Sequence, residues 1–524
     1  MKSTRASGAR LSAAQRRLLV LSCCAIALVI ASMAALYTAL PEIAAATGAS
    51  QRQLTWIVDG YTLTLACLVL PAGALGDRFG RRKMLIGGLI VFSLASALPL
   101  LIDDPVWLIA ARALAGVGAA LVMPSTLSLL TAGFPEERRG IAVGLWAGIA
   151  GAGAVLGILG SGLLLSQWSW VSIFVAMTAA GAALSVGSFT VPESVDQARP
   201  ALDPLGALTA ALAIGLIVIA AIEAPERGWL DPLVLGLFAG GLLSAALFTL
   251  VELRAAHPML DVRLFADRGF GSGTASITVQ FLISFGTFML LVQFLQLILG
   301  YSPLASALAI APMVVPMVAL SAVAPRLADR IGLRWTTLAG LVILGAAMLV
   351  MSRLDADSGY LAALWPLLIM STGLGLCTAP ATTAIIAGTP PEKHGVAAAV
   401  NDAAREIGAA VGIAIMGSLL AAGYSARIAP ALPSLPEAAR EPVGNSLAAA
   451  LQVAERAGPQ AQPLVDFAQD AFMHGVQQAA LVVGCLTLVA AVLVAAWAPG
   501  RRKTALAAPA AEAEPVAAAK PASS

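Results

Sequence analysis

The chain carries very little charge for its length. Charged side chains make up 11% of its 524 residues, hydrophobic side chains make up 59%, and the mean hydropathy is +0.88. A soluble protein of this size needs a far larger polar surface, so the composition excludes one. The solvent that suits such a chain is a lipid bilayer. We therefore expect a polytopic membrane protein.

Three further absences narrow the possible functions. A formal net charge of +2 is too small to indicate a nucleic-acid partner. Glycine nowhere precedes lysine, so no Gly-Lys-Ser/Thr loop can bind ATP, and an ion gradient is the expected energy source. The cysteines fall within apolar runs, without the spacing of a metal site or a disulfide framework: Cys23, Cys24, Cys67, Cys377 and Cys485. We expect neither a metal nor another cofactor.

Apolar runs of about 20 residues, the length that crosses a bilayer as a helix, occur fourteen times. Basic residues concentrate in alternate connections, from Arg16 and Arg17 before the first span to Arg501 and Arg502 after the last, and they mark the cytoplasmic side. The even count then places both termini in the cytoplasm of a multi-pass protein of the cytoplasmic membrane. The predicted spans are 18–40, 53–75, 84–102, 106–130, 140–163, 168–190, 204–223, 231–251, 269–299, 304–327, 334–352, 361–388, 394–423 and 473–498.

A short charged loop occurs once in each half of the chain. The pattern Gly-x-Leu-x-Asp-Arg-x-Gly-Arg-Arg is complete at residues 73–82, and a partial copy, Leu-x-Asp-Arg-x-Gly-x-Arg, lies at residues 327–334. These loops resemble the signature loop of the major facilitator superfamily, which joins the second and third spans of each half. The resemblance implies an all-α fold of two pseudo-symmetric halves. It also implies a cytoplasmic gate built from Gly73, Asp77, Arg78, Gly80, Arg81 and Arg82.

The distance between the two loops leaves room for two further spans, so the fourteen spans divide as six, two and six. This layout is similar to the fourteen-span drug:proton antiporter branch of the superfamily, which includes the QacA-type exporters of quaternary ammonium compounds. Local matches at residues 293–304 and 399–408 support the resemblance. The expected parts are a cytoplasmic segment at 1–17, a six-helix half at 18–190, a two-helix insertion at 191–268, a second half at 269–498 with an extracytoplasmic loop at 424–472, and a disordered cytoplasmic tail at 499–524.

Away from the span ends, three acidic residues fall inside predicted spans, where an unpaired charge costs about 2.5–3.5 kcal/mol or more: Asp59, Asp402 and Glu406. Asp402 and Glu406 are four residues apart and share one helix face, at a depth where a cavity is expected. We interpret them as groups that bind a proton or a cation. The alternative is that Arg405 neutralises one of them in a structural pair.

Asp59 and Arg112 lie at a similar depth in the second and fourth spans, which allows an ion pair between them. Residues 112–118 are similar to the fourth-span motif of the family, whose arginine is associated with proton transfer. The alternative interpretation is a buried pair that fixes the register of two helices, and the sequence leaves both open.

The fifth span is rich in glycine, which lets membrane helices approach closely. Antiporters of the family carry Gly-Pro-x-x-Gly-Gly in this span. This chain has Gly153, Gly157 and Gly160 there, but it lacks the proline and the second glycine of the final Gly-Gly pair. Many relatives also carry an aspartate in the first span where this chain has Ser32. These departures leave the expected fold unchanged, and they leave the coupling mechanism and the preferred substrate charge open.

Aromatic and sulfur-containing side chains could line an apolar cavity through cation–π and polarizable contacts. The alternative for each of them is contact with lipid or with a neighbouring helix. The candidates are Trp56, Tyr61, Phe281, Phe285, Phe288, Met289 and Met313.

Together these features predict a secondary active transporter rather than an enzyme. It would act as a monomer and export lipophilic, cationic drugs or dyes in exchange for protons, by alternating access. The alternatives are export of an endogenous lipid or secondary metabolite, and a non-transporting sensor on the same fold. A sensor would be expected to lose the membrane carboxylates and the gate motif, and both remain.

Overall fold

A computed structural model describes residues 11–49, 51–102, 104–195 and 202–500. Within these ranges the regular secondary structure is entirely helical. Most of the predicted segment 1–17, and all but two residues of the predicted tail 499–524, lie outside the described residues.

Fourteen segments of the described chain are long and apolar enough to cross a membrane, which confirms the predicted number of spans and the all-α polytopic fold. The tenth segment consists of α11 and α12, joined by a 3-10 turn at Ala311–Met313. The helices are α1 Ala13–Ala35, α2 Leu40–Thr47, α3 Gln51–Phe79, α4 Arg81–Ala97, α5 Pro105–Gly133, α6 Glu136–Leu165, α7 Val171–Ser188, α8 Pro204–Arg227, α9 Pro232–Arg254, α10 Arg268–Gln293, α11 Pro303–Ile310, α12 Val314–Ile331, α13 Leu333–Met351, α14 Tyr360–Ala387, α15 His394–Ile428, α16 Glu437–Asn445, α17 Leu447–Ala457 and α18 Gln462–Trp497.

Aspartate and proline determine where several spanning helices begin. Asp104, Asp203, Asp231 and Asp267 each accept hydrogen bonds from backbone N–H groups in the first turn of α5, α8, α9 and α10. The first three of these helices also start with a proline, which has no N–H group to leave unsatisfied. These short signals separate one apolar run from the next.

The spanning helices form two packed groups and one hairpin. In the first group α1 packs on α6, and α3 and α4 pack on α5; in the second, α10 packs on α15, and α13 packs on α14 and α18. The groups meet along a first seam, where α3 contacts α15, and a second seam, where α6 contacts α12. Helices α8 and α9 form the hairpin, which lies against the first seam.

The region predicted as a loop at 424–472 is largely helical. Helix α15 continues to Ile428 and α18 already begins at Gln462, with the short helices α16 and α17 between them. The Tyr424 hydroxyl donates to the Val443 carbonyl oxygen at 2.8 Å, so this region packs against the end of α15. Helices α15 and α18 thus continue beyond their apolar runs into more polar sequence, and the extracytoplasmic position of this region stays a prediction.

Candidate functional site

The signature loop, residues 73–82, reaches across the first seam. Asp77, near the end of α3, accepts hydrogen bonds from the backbone N–H groups of Gly395 at 2.9 Å and Val396 at 3.0 Å. These groups are free donors in the first turn of α15, where the helix dipole also favours a negative charge. Asp77 is 4% exposed. Its carboxylate therefore caps a helix of the other group, 318 residues away from it in the chain.

Arg81 completes this contact from the start of α4. It donates to Asp77 Oδ1 from Nε at 3.0 Å and from Nη2 at 2.8 Å. Nη2 also donates to the backbone oxygens of Pro391 at 3.0 Å and Glu392 at 3.1 Å. A planar guanidinium can make these bonds together, whereas a lysine ammonium cannot. Asp77 and Arg81 thus hold the two groups together at this end of the bundle.

Two glycines allow the loop to take this shape. Gly73 lies so close to α15 that an added Cβ would be 2.6 Å from the Ala399 Cβ and would overlap the backbone at Gly395. Gly80 has a φ of 110°, which residues with a side chain rarely adopt. A larger residue at either position would distort the contact.

The remaining arginines of the signature loop have different surroundings. Arg78 lies 5.4 Å from the ring centroid of the exposed Phe79. Arg82 donates from its backbone N–H to Glu193 at 2.9 Å and from its side chain to the Val191 carbonyl oxygen at 3.1 Å. Glu193 follows α7, so the loop is also braced within its own group of helices. Sequence reasoning missed Glu193, and the one available signal was its place just after a span.

Asp402 and Glu406 lie on α15 and are 0% and 5% exposed. Asp402 Oδ1 accepts a 3.3 Å hydrogen bond from Asn401 Nδ2 and lies 3.8 Å from Nη1 of Arg405. Asp402 Oδ2 and Glu406 Oε2 have no hydrogen-bond partner among the described residues. An ionised carboxylate oxygen buried in this way is costly, and a bound proton or cation would offset that cost.

Arg405 lies close to two aromatic side chains. Its guanidinium carbon is 4.5 Å from the ring centroid of Phe281 and 5.5 Å from that of Trp146. Trp146 is fully buried on α6 and donates from Nε1 to Thr126 Oγ1 at 3.1 Å. Phe281 was a predicted cavity residue, whereas Trp146 was not, because no local pattern distinguishes it from a packing tryptophan. The structure thus brings α6, α10 and α15 together around one cation.

Arg112 is fully buried on α5 and donates into α1 and α3. Its hydrogen bonds go to the Ser32 hydroxyl at 2.9 Å, the Ser32 carbonyl oxygen at 3.2 Å and the Ile57 carbonyl oxygen at 3.2 Å. Its guanidinium carbon lies 4.2 Å from the ring centroid of Tyr61. A neutral hydroxyl, that of Ser32, therefore faces this arginine.

The predicted ion pair between Asp59 and Arg112 stays a prediction. Asp59 is half-buried on α3. Helix α5, which carries Arg112, contacts α15, which carries Asp402 and Glu406. The surroundings of Arg112 and those of the α15 carboxylates are therefore adjacent across the first seam.

The glycines of α6 contact α1 over only part of the predicted motif. A Cβ on Gly153 would lie 2.7 Å from the Ile30 Cβ, and one on Gly157 would overlap the backbone of Ala31. A Cβ on Gly160 would have no heavy atom within 4 Å, so the close approach does not extend to that position. A hydrogen bond of 2.7 Å between the hydroxyls of Thr38 and Ser161 continues the contact instead.

The other predicted cavity residues divide between the site and the core. Phe285 stacks on Phe281 at 5.9 Å between centroids. Met313 is fully buried in the core of the second group, and Phe288 and Met289 pack against that core. Trp56 is half-buried on α3.

Within the described ranges, no group of three or more His, Cys, Asp and Glu side chains is placed to hold a metal ion. The ionisable groups along the first seam include the carboxylates Asp77, Asp402 and Glu406, the arginines Arg81 and Arg405, and Lys393 and His394 at the start of α15. Such groups can bind protons and charged ligands.

Comparison with known proteins identifies the family. The chain is 33% identical over 476 residues to the Multidrug resistance protein Stp of Mycobacterium tuberculosis, covering 88% of this chain and 87% of that protein. It is 34% identical over 467 residues to the Methyl viologen resistance protein SmvA of Salmonella typhimurium, covering 87% of this chain and 93% of that protein. The fold is similar to that of the human organic anion transporter MFSD10 (TETRAN), with a TM-score of 0.59, 14% identity, and coverage of 92% of this chain and 100% of that one.

The family model described as Major Facilitator Superfamily matches residues 22–413. The chain therefore belongs to the major facilitator superfamily, as the signature loops predicted.

Proposed function

We propose that the protein exports lipophilic, cationic drugs or dyes across the cytoplasmic membrane in exchange for protons, by alternating access. The observation that carries the proposal is the pair of buried carboxylates on α15, each with an oxygen that lacks a hydrogen-bond partner among the described residues. They lie on the helix whose first turn Asp77 caps, so binding groups and gate share one element. Both termini would lie in the cytoplasm, as the arginine distribution indicates.

The charge of the α15 cluster supports exchange. Asp402, Arg405 and Glu406 together carry one net negative charge when both carboxyl groups are ionised, because Arg405 can balance only one of them. A proton on either carboxyl group neutralises the cluster, and a bound monocation does the same. Proton and cation would therefore compete for one charge. That competition is what coupled exchange requires.

The aromatic side chains around the cluster suit a lipophilic cation. Phe281 stacks on Phe285, and its ring already lies against the guanidinium of Arg405. A cation with apolar substituents can make the same kind of contact. Stp is named for multidrug resistance and SmvA for resistance to methyl viologen, a dication. These names support the same substrate class.

The signature loop would form the cytoplasmic gate. Asp77 and Arg81 join α3 and α4 to the start of α15, so this side of the seam is closed in the structure. Opening toward the cytoplasm would break these bonds, and re-forming them would return the carboxylates to the opposite side. Gly73 and Gly80 allow the contact to form.

A transport profile tests the proposal. Cells that overexpress the protein are compared for resistance to monocationic, dicationic and neutral compounds of matched lipophilicity, and inverted membrane vesicles are tested for uptake of the same compounds. We expect resistance to the cations, and uptake that stops when the proton gradient is dissipated. Transport of neutral lipids or metabolites alone would support the endogenous-substrate alternative. A protein of normal abundance that transports none of these compounds would favour the sensor.

A further inference from the structure

The α8–α9 hairpin covers the first seam from the side. Ile214 and Val218 of α8 pack against Ala66 and Val69 of α3 and against Ala403 of α15, in one buried apolar cluster. Helix α8 therefore contacts both groups of helices, where they meet. Every change in the distance between α3 and α15 must also change one of its two contacts.

The face of α15 that α8 covers lies beside the carboxylates. Ala403, Ile407 and Ala410 face α8, whereas Asp402 and Glu406 are each one residue from that face. Successive residues of a helix are about 100° apart, so this stripe separates the carboxylates from the outside of the bundle. Without the hairpin, the neighbouring surface of α15 would face lipid. The hairpin thus helps to keep the carboxylates inside the protein.

At the signature-loop end, the chain that leaves the hairpin is bonded to the start of α15. Lys393 Nζ donates to the Pro258 carbonyl oxygen at 3.1 Å. Lys393 lies two residues before Gly395, whose N–H group Asp77 caps. A cavity of about 220 Å³ beside this contact is lined by α3, by the start of α8 and by Val396 of α15. Hairpin, signature loop and α15 therefore meet at one point.

At the opposite end, the turn of the hairpin is bonded to α15 as well. Trp229 Nε1 donates to Ser418 Oγ at 2.8 Å. The hairpin thus has a hydrogen bond to α15 near each of its ends, whereas its cluster with α3 consists of apolar contacts such as those of Ala66 and Val69. Apolar contacts can separate and re-form without leaving a polar group unsatisfied.

We infer that the α8–α9 hairpin is a third element of the gate, which moves with α15 and closes the first seam, and that Lys393 is the residue that positions it. This inference rests on the proposed gate at Asp77. When the gate opens, α8 parts from α3 and stays on α15. The bond from Lys393 holds the hairpin over the capped turn and stabilises the closed state.

Thiol labelling tests the role of Lys393. Val69, fully buried against α8, is replaced by the smaller cysteine, and its reaction with N-ethylmaleimide is followed in membrane vesicles by mass spectrometry. We expect Lys393→Met to raise the labelling rate about tenfold, the size of one charge-assisted hydrogen bond, and Lys393→Arg to restore the slow rate. Arg254→Met, which removes an exposed charge from the same hairpin, is the matched control and should leave the labelling rate unchanged.

Asp77→Asn, introduced into the same Val69→Cys reporter, separates the test of the gate from the test of the hairpin. Fast labelling in Asp77→Asn with slow labelling in Lys393→Met would overturn the role of the hairpin and keep the gate. Slow labelling in Asp77→Asn would contradict the proposed gate itself. Labelling that rises equally in Lys393→Met and Lys393→Arg would also contradict the positioning role.

A cross-link provides a second, independent test. A Cβ on Gly215 would lie 2.6 Å from the native Cys67 Sγ, so Gly215→Cys can form a disulfide between α8 and α3. Oxidation should stop transport and a reductant should restore it, while the wild-type chain under the same oxidant keeps its rate. Undiminished transport by the cross-linked protein would show that α8 does not part from α3 and would overturn the inference. If the reduced variant is inactive, the labelling result decides alone.

Discussion

The two copies of the signature loop have a similar backbone conformation but make different contacts. Gly80 follows the second span and Gly332 follows the tenth, with φ of 110° and 92°, so the backbone turns in the same way in both copies of the loop. Asp77 in the first copy is buried and caps α15, whereas Asp329 in the second copy is exposed. The same short pattern therefore supports two different structural roles.

What the copies have in common is a bond within their own group of helices. The Arg81 N–H donates to the Ser194 carbonyl oxygen, just after α7, and the Arg334 N–H donates to the Pro499 carbonyl oxygen, just after α18. Each loop is thus tied to the chain that follows the last helix of its group. Among the residues that the structure describes, only the first copy adds a charged contact across a seam.

The second seam also has a glycine at its closest approach, but there the glycine lies on the partner helix α6 rather than on the helix that carries the loop. Pro325 stands four residues before Asp329, as Gly73 stands four residues before Asp77. Gly140 of α6 faces this proline, and a Cβ there would lie 3.0 Å from the Pro325 Cβ. The seam is closely packed without an aspartate cap. We infer that bracing is common to both loops, and that gating belongs to the first alone.

The largest difference should follow from removing the charge of each aspartate. Asp77→Asn weakens a buried, fully bonded group and should disfavour the closed gate by about 3–5 kcal/mol, which would abolish efflux at normal protein abundance. Asp329→Asn should leave efflux close to the wild-type rate, because the residue is exposed. Efflux of a fluorescent cation from cells checks both. Equal effects of the two substitutions would end the distinction between the loops.

A smaller difference is expected for Gly73 and Pro325, the residues that lie four positions before each aspartate. Gly73→Ala would force a methyl group into α15 and should cost the closed seam about 1–3 kcal/mol, so transport should fall in part. Pro325→Ala removes atoms from the second seam and should have a weaker effect. The initial efflux rate of each variant, scaled to protein abundance, gives the loss that each substitution causes. A larger loss of efflux rate for Pro325→Ala than for Gly73→Ala would show that the second seam controls the rate.

The arginines of the two loops should differ least. Arg81→Lys loses the bonds that reach Asp77 and the start of α15 together, so efflux should drop about threefold. Arg334→Lys affects a contact with the Ala498 carbonyl oxygen in its own group, and should lower thermal stability slightly with little change in rate. Efflux rate and melting temperature, measured for both variants, separate an effect on transport from an effect on stability. A loss of efflux rate in Arg334→Lys as large as that in Arg81→Lys would contradict the prediction.

The comparison also requires both loops on the cytoplasmic side. Tags on either terminus should be inaccessible from outside intact cells, whereas a cysteine placed between 437 and 457 should react with an impermeant reagent, with little effect on activity. Surface labelling of a terminus would overturn the proposed orientation and, with it, the assignment of the gate.

Some of these features could be predicted from the sequence, and others could not. Apolar length predicted the fourteen spans, and the two copies of the loop pattern predicted two related halves, but not that the two loops differ in their contacts. The spacing of Asp402 and Glu406 predicted a shared helix face. The partner of Asp77 lies 318 residues away, and Trp146 reaches Arg405 only through the packing of α6, so neither was visible in a local pattern.

The most direct test of the central claim, that the α15 carboxylates exchange a proton for a cation, is proton release in proteoliposomes. A monocationic dye is added to vesicles with an imposed pH gradient, and internal pH is recorded. We predict that the dye dissipates the gradient with wild-type protein and with Asp329→Asn, and that Asp402→Asn or Glu406→Gln slows this, at least one of them severely. Full proton-coupled transport by both neutral variants would contradict the claim and leave Asp59 as the next candidate.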